Sequence, residues 1–138
     1  MKRELEELLF SRYPKILEGC QQEGLGIADG WFTLVDTLCR DLQHLTDNGR
    51  GAQVKAYQVK AKFAQLRFYA GGGDSFQKGM IYMASQLASR TCEECGAPGE
   101  PCERDYAWFI LCPVHAQSRS SKLPAFPESQ RADTLPET

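Results

Sequence analysis

Leu5, Leu8 and Leu9 repeat at helical spacing, and Pro14 closes the run, because the residue before a proline is pushed out of the α region. A short first helix is predicted there. Gly19, Gly24, Gly26 and Gly30 make the next stretch a loop, with Asp29 placed to cap a second helix beginning near Trp31. From that point Trp31, Leu34, Val35, Leu38, Cys39, Leu42 and Leu45 form one apolar stripe in steps of three and four, ended by Asn48-Gly49. Cys39 falls on the stripe as a small core residue. His44 falls with Thr33, Thr37 and Arg40 on the opposite, solvent-facing side.

Residues 54 to 70 carry two periods at once. Val54, Tyr57, Ala61, Ala64 and Phe68 fit a helix, whereas the alternation of the same segment fits a hairpin, which is the reading favoured here. With Ala64-Gln65 as the two-residue turn, Phe63 pairs with Leu66, Ala61 with Phe68 and Val59 with Ala70. The other face then carries Lys60, Lys62, Arg67 and Tyr69, with Lys62 opposite Arg67. Ala-Gln matches poorly a turn that needs positive φ. Gly71-Gly72-Gly73 breaks the chain, Asp74 or Ser75 caps a third helix, and Phe76, Met80, Met83, Ala84, Leu87 and Ala88 form its buried stripe, the methionines serving as core filler. Past Ala116 the serines and Pro124, Pro127 and Pro136 lack apolar periodicity, as a disordered tail does. The expected organisation is a helical α+β body over residues 1–91, a zinc-binding knuckle packed on it over 92–116, and a tail over 117–138.

The chemistry lies in that knuckle. Cys92-Glu93-Glu94-Cys95-Gly96 is followed, with sixteen residues between Cys95 and Cys112, by Cys112-Pro113-Val114-His115, two ligand pairs each with a two-residue gap. A Cys-x2-Cys turn aims both thiolates at one ion, and Gly96 relieves backbone strain just after it. Three thiolates and one imidazole fill a tetrahedron, so Zn2+ with a structural role is expected, with no position left for water or substrate. The apolar run Ala107 to Leu111 reads as a strand returning the chain to the metal. Cys102, inside the loop, is the alternative fourth ligand to His115. The fold class is therefore α+β: three helices, a small β-hairpin and a C-terminal zinc knuckle of ribbon or treble-clef type.

Composition narrows the partners. The chain has 138 residues, a formal charge of -2 and a pI near 5.7, which suit one domain with no global attraction to nucleic acid or anionic membrane. The opening residues show neither a secretory signal nor a spanning helix, so a cytoplasmic protein is expected and the six cysteines read as metal ligands and core residues rather than disulfides. Charge is nevertheless uneven. From residue 48 to 73 there is no acid, while Arg50, Lys55, Lys60, Lys62 and Arg67 are present. Together with Tyr69 they make a candidate partner-binding face for an acidic protein or a phosphate backbone. The plainer reading is a solvated face balanced by Glu4, Glu6, Glu7, Asp36 and Asp41. Trp108, Phe109 and Ile110 offer an apolar edge, leaving both monomer and homodimer open.

Three segments carry a resemblance: Asp29-Gly30-Trp31-Phe32 with Leu38-Cys39, Gln58 to Phe63 running to Leu66-Arg67-Phe68-Tyr69, and Cys92 to Gly96 with Cys112 to His115. In this order they resemble a broad family of small, mostly uncharacterised proteins of bacteriophages and prophages, over most of residues 5 to 116. Members usually have glycines where this chain has Ala64-Gln65. The resemblance implies a phage protein acting in the host cytoplasm, with no established catalytic activity. A binding protein is the expectation, an inhibitor or adaptor on a host protein or complex such as a restriction or CRISPR defence. A nucleic-acid-binding protein using residues 50–69 is the alternative. An enzyme fits least, because His44 is the only other histidine and Gly71-Gly72-Gly73 lacks the Gly-Lys-Ser/Thr ending of a phosphate loop.

Overall fold

A computed structural model describes residues 1–117; of the tail expected over 117–138, Gln117 instead ends a short helix, and 118–138 lie outside the described residues. The chain is mixed helix and strand. Helix α1 (Arg3–Arg12) ends where Pro14 predicts, but Pro14 also opens a one-turn helix, α2 (Pro14–Leu17), continued as a 3-10 turn over Glu18–Cys20. Proline suits the first helical position because its missing N–H would have had no partner there. A second 3-10 turn, Asp29–Trp31, leads into α3 (Phe32–Asp47). Asp29 does not cap this helix as expected; its carboxylate instead accepts the backbone N–H of Lys2 at 2.7 Å.

The α3 stripe is buried through Trp31, Val35, Leu38, Cys39 and Leu42, and His44 faces solvent. Burial pushes the Cys39 thiol pKa far up, with Asp36 and Cys20 adding to it, so this cysteine is an inert core residue. On the polar flank Asp36 Oδ1 accepts from the Tyr13 hydroxyl at 2.7 Å and from Arg12 Nη1 at 2.9 Å, tying α1 to α3.

Strands β1 (Lys55–Lys62) and β2 (Gln65–Gly71) form the antiparallel hairpin. Its turn is Phe63-Ala64 rather than Ala64-Gln65, so Val59 pairs with Phe68, Ala61 with Leu66, and Lys60 rather than Lys62 faces Arg67. Phe63 and Ala64 sit at φ 52 and 58, the left-handed conformation that a two-residue hairpin turn demands. A non-glycine residue held there is strained by about 1 kcal/mol. The one-residue correction puts the apolar Ala64 in the core and leaves Phe63 at the exposed tip. Tyr57 bulges out of β1, so that Ala56 and Val59 both point inward. The β1 edge is covered by residue 26, whose N–H donates to the Val59 carbonyl and whose carbonyl accepts from Ala61 N–H. The short N-terminal helices pack on β1, and α4 (Ser75–Ala88) packs on β2 and α3.

Helix α4 departs most from expectation. Asp74 caps it as predicted, in a capping box with Gln77. Its buried face, however, is Gln77, Ala84 and Ala88, with Met80 and Ile81 packed partly on the core, whereas Phe76, Met83 and Leu87 are 69%, 66% and 55% exposed. Gln77 is fully buried because both ends of its amide are used. Oε1 accepts the Asp74 N–H at 3.0 Å, and Nε2 donates to the Ala52 carbonyl at 2.8 Å. The buried positions of the helix are thus one polar residue and two alanines, with Met80 and Ile81 at their flank and Phe76, Met83 and Leu87 left outside.

After α4 come a second hairpin, β3 (Glu100–Arg104) with β4 (Ala107–Leu111), and a short helix α5 (Pro113–Gln117). The strand expected over Ala107 to Leu111 is therefore β4. Its residues do not form the expected apolar edge, since Ile110 is fully buried and Trp108 packs on the main core. No helix among the described residues is long and apolar enough to cross a membrane.

Replacing Gln77 with alanine removes its hydrogen bonds to the Asp74 N–H and to the Ala52 carbonyl, which Thr46 Oγ1 also reaches, and empties a fully buried position, and is expected to lower stability by about 1–3 kcal/mol. Chemical denaturation of the two proteins measures this; Phe76→Ser, on the exposed face of the same helix, is expected to change stability by less than about 1 kcal/mol.

Candidate metal centre

The first half of the site is the turn that follows α4. Gly96 N–H donates to the Cys92 carbonyl at 2.9 Å and Cys92 N–H to the Ala97 carbonyl at 2.7 Å, which curls residues 92–97 so that Cys92 and Cys95 present their sulfurs to the same point. Gly96 holds φ +82, the left-handed conformation that its position after the second ligand predicts. The β3–β4 hairpin, turned by Asp105 and Tyr106 at positive φ, then carries the chain out and back. It returns beside the turn, where Glu93 N–H donates to the Ile110 carbonyl at 2.9 Å and Ile110 N–H to Glu93 Oε2 at 2.7 Å. Cys112 follows directly, and the turn of α5 folds His115 back over it.

Cys92, Cys95, Cys112 and His115 are thereby brought together, with one donor atom from each lying within 4.8 Å of all the others. The Cys95 and Cys112 sulfurs are 3.8 Å apart, and His115 Nδ1 lies 3.6 Å from Cys92 Sγ and 3.1 Å from Cys112 Sγ. This set of three sulfurs and one imidazole nitrogen can hold a metal ion. The Cys112 thiol is pushed down in pKa, chiefly by the His115 N–H at the start of α5, and so favours the thiolate a metal requires. Cys95 is raised on balance: the Ala97 N–H, its largest influence, lowers it, and burial together with the neighbouring Cys112 and Cys92 thiols outweighs that.

Cys102 is not in this group. It is buried on β3 opposite Phe109, in a small apolar cluster with Leu111 and two of the donor residues, Cys92 and Cys112. Cys20 and Cys39 lie in the main core.

Sequence reasoning missed how the site is attached to the body. Gly30 N–H donates to the Glu93 carbonyl at 2.8 Å, and the indole N–H of the fully buried Trp31 donates to the Thr91 carbonyl at 2.8 Å. A Cβ at Gly30 would run into the Cys92 and Glu93 carbonyls, so a side chain there pushes the two parts of the chain apart. The Asp29-Gly30-Trp31 segment signalled a helix start in the sequence and is also the seat of the Cys92 turn. Glu93 is the second omission. It is a buried acid whose pKa is raised by burial, offset by the Ile110 N–H and then by Arg104.

The basic residues form a separate surface. Lys60, Lys62, Arg67 and Tyr69 share the outer face of the first hairpin, Lys55 is exposed on the same strand, and Arg50 is exposed in the loop before it. Tyr57, not among the residues expected on this face, stacks on Tyr69 with ring centres 6.1 Å apart and planes 9° from parallel.

No protein-family model, no curated protein and no solved structure gives a match to this chain.

Cys95→Ser and Cys112→Ser are expected to lose bound metal and to lower the melting temperature, while Cys102→Ser and Cys20→Ser keep metal at the native stoichiometry, as elemental analysis of the purified variants will read. Glu93→Gln keeps an acceptor for Ile110 and is expected to be near neutral, whereas Glu93→Ala leaves that N–H without a partner and costs about 1–3 kcal/mol in denaturant unfolding.

Proposed function

We propose that the metal is zinc, that it is structural, and that this chain is a protein-binding module rather than an enzyme. Zinc bonds of about 2.3 Å to sulfur and about 2.0 Å to nitrogen place tetrahedral donors about 3.8 Å apart for two sulfurs and about 3.5 Å for sulfur and nitrogen. The 3.8 Å and 3.6 Å separations in the cluster agree with those lengths, and the 3.1 Å between Cys112 Sγ and His115 Nδ1 is shorter and opens when an ion sits between them. Four protein donors fill the coordination sphere and leave no position for a substrate. The order of knuckle, hairpin, Cys-x2-His and short helix is that of a treble clef.

The binding reading is carried by one observation: Phe76, Met83 and Leu87 stand exposed along one side of a helix whose other side is buried. A row of large apolar side chains left in water by folding marks an interaction surface. If the chain is phage-encoded, as its sequence resemblance implies, the reading becomes an inhibitor or adaptor that docks on a host protein or complex, anti-phage defence complexes among the candidates.

A second reading has its own observation. The Tyr57–Tyr69 stack beside Lys60, Lys62 and Arg67 offers aromatic surface and cations together, which suits a single-stranded nucleic acid. Pull-down of the tagged protein from a bacterial lysate, with and without nuclease, separates the two. Recovery of a host protein at near-equal stoichiometry that resists nuclease, and survives Lys60→Glu with Lys62→Glu, supports the protein-binding module. Recovery that vanishes with nuclease and with the double variant supports the nucleic-acid reading.

A further inference from the structure

The exposed stripe of α4 is one wall of a groove of about 1010 Å³ running between α3 and α4. Its floor and sides are apolar, chiefly Leu34 and Leu38 of α3 and Met80, Met83, Ala84 and Leu87 of α4. Gly79, also on its lining, has open space where a side chain would stand, so a partner backbone can approach α4 closely at that point. Helix α4 has 14 residues, about 20 Å of axis, which accommodates an apolar helical face of about four turns.

The charges of the groove are of one sign. The charged side chains that line it are Asp29 near the metal centre and Asp41 toward the other end, and neither lysine nor arginine lines it among the described residues. Arg40 pairs with Asp41 at 3.1 Å across a solvent-exposed contact but is not part of the lining. Cys95 and Gly96 close the end beside Asp29. A divalent ion held by three thiolates and a neutral imidazole leaves that end with one net negative charge. A second copy of this chain is therefore a poor occupant. In either two-fold arrangement of two such grooves, acidic ends meet acidic ends, and like charges in a closing interface oppose association.

We infer that the α3–α4 groove receives a cationic amphipathic helix of a partner protein, its apolar face seated on Met80, Met83 and Leu87 and its lysines or arginines reaching Asp29 and Asp41. The inference rests on the binding-module reading and names the partner's chemistry. Helix-in-groove recognition supplies the apolar contact, and the acids at both ends select sign and register.

Display libraries of helical peptides about 14 residues long, apolar at positions i, i+4, i+7 and i+11 and flanked by either lysine or glutamate, test this against the full-length, metal-loaded protein. Expected is enrichment from the lysine-flanked library alone. Selected peptides should lose about tenfold or more in affinity against Met83→Glu and again against Asp29→Asn with Asp41→Asn, at unchanged melting temperature. No enrichment from either library, or equal enrichment from both, overturns the proposal. So does dimerisation of the wild type that Met83→Glu abolishes in sedimentation, which makes a second copy the occupant. The sequence beyond residue 117 carries the apolar residues Leu123 and Phe126, and binding that appears only after Leu123→Asp with Phe126→Asp in the full chain also overturns it, in favour of the chain's own C-terminal segment. A failed selection beside a nuclease-resistant host protein in the pull-down removes the groove and leaves the binding module standing.

Discussion

Two hydrogen bonds, from the Gly30 backbone and the Trp31 indole to the carbonyls of Glu93 and Thr91, join the segment that carries the candidate metal centre to the helical body. Both donors come from a single turn, and both acceptors flank Cys92. Neither bond is strong alone, with each contributing about 1 kcal/mol. Their importance is positional, because Trp31 is fully buried at the head of α3 and cannot shift without disturbing the core around Val35 and Cys39. The first metal ligand is therefore placed by the main core and the last, His115, by the local hairpin and α5. A metal ion that bonds all four makes the body and the knuckle one mechanical unit.

The same junction explains the groove. Because α4 runs back toward Trp31 to deliver Cys92, it lies antiparallel to α3, and its buried contact with the core is made by small residues, Ala84 and Ala88, together with Gln77, with Met80 and Ile81 partly buried beside them. Small residues allow close approach on one side and leave Phe76, Met83 and Leu87 nothing to pack on at the other. An apolar surface beside an end that a metal would fix suits the docking role proposed above, since little ordering entropy would be left to lose on binding.

Much of this was legible in the sequence. The two ligand pairs announced themselves by spacing, and α3 by its stripe, because both patterns depend on near neighbours in the chain. The first hairpin was legible in kind but not in register. Phe63 and Ala64 carry none of the residue preferences of a positive-φ turn, so the burial of Ala64 decided a position that turn chemistry did not mark. The inner face of α4 was misread because periodicity identifies an apolar stripe without saying that a polar residue such as Gln77 will find two backbone partners and take the core instead. Gly30 and Glu93 were hidden for a related reason: their contacts span roughly sixty and seventeen residues, and no local pattern reports them.

Hydrogen exchange of the native protein before and after chelation, read together with its metal content, tests most directly the claim that a single structural zinc ion holds the C-terminal segment to the body. The account predicts zinc at one equivalent per chain, and on its removal fast exchange across residues 92–116 and at the Trp31 indole, with the β1–β2 hairpin and the centre of α3 still protected. A protein that carries no metal as isolated, or whose residues 92–116 stay as protected after chelation as before, would contradict it.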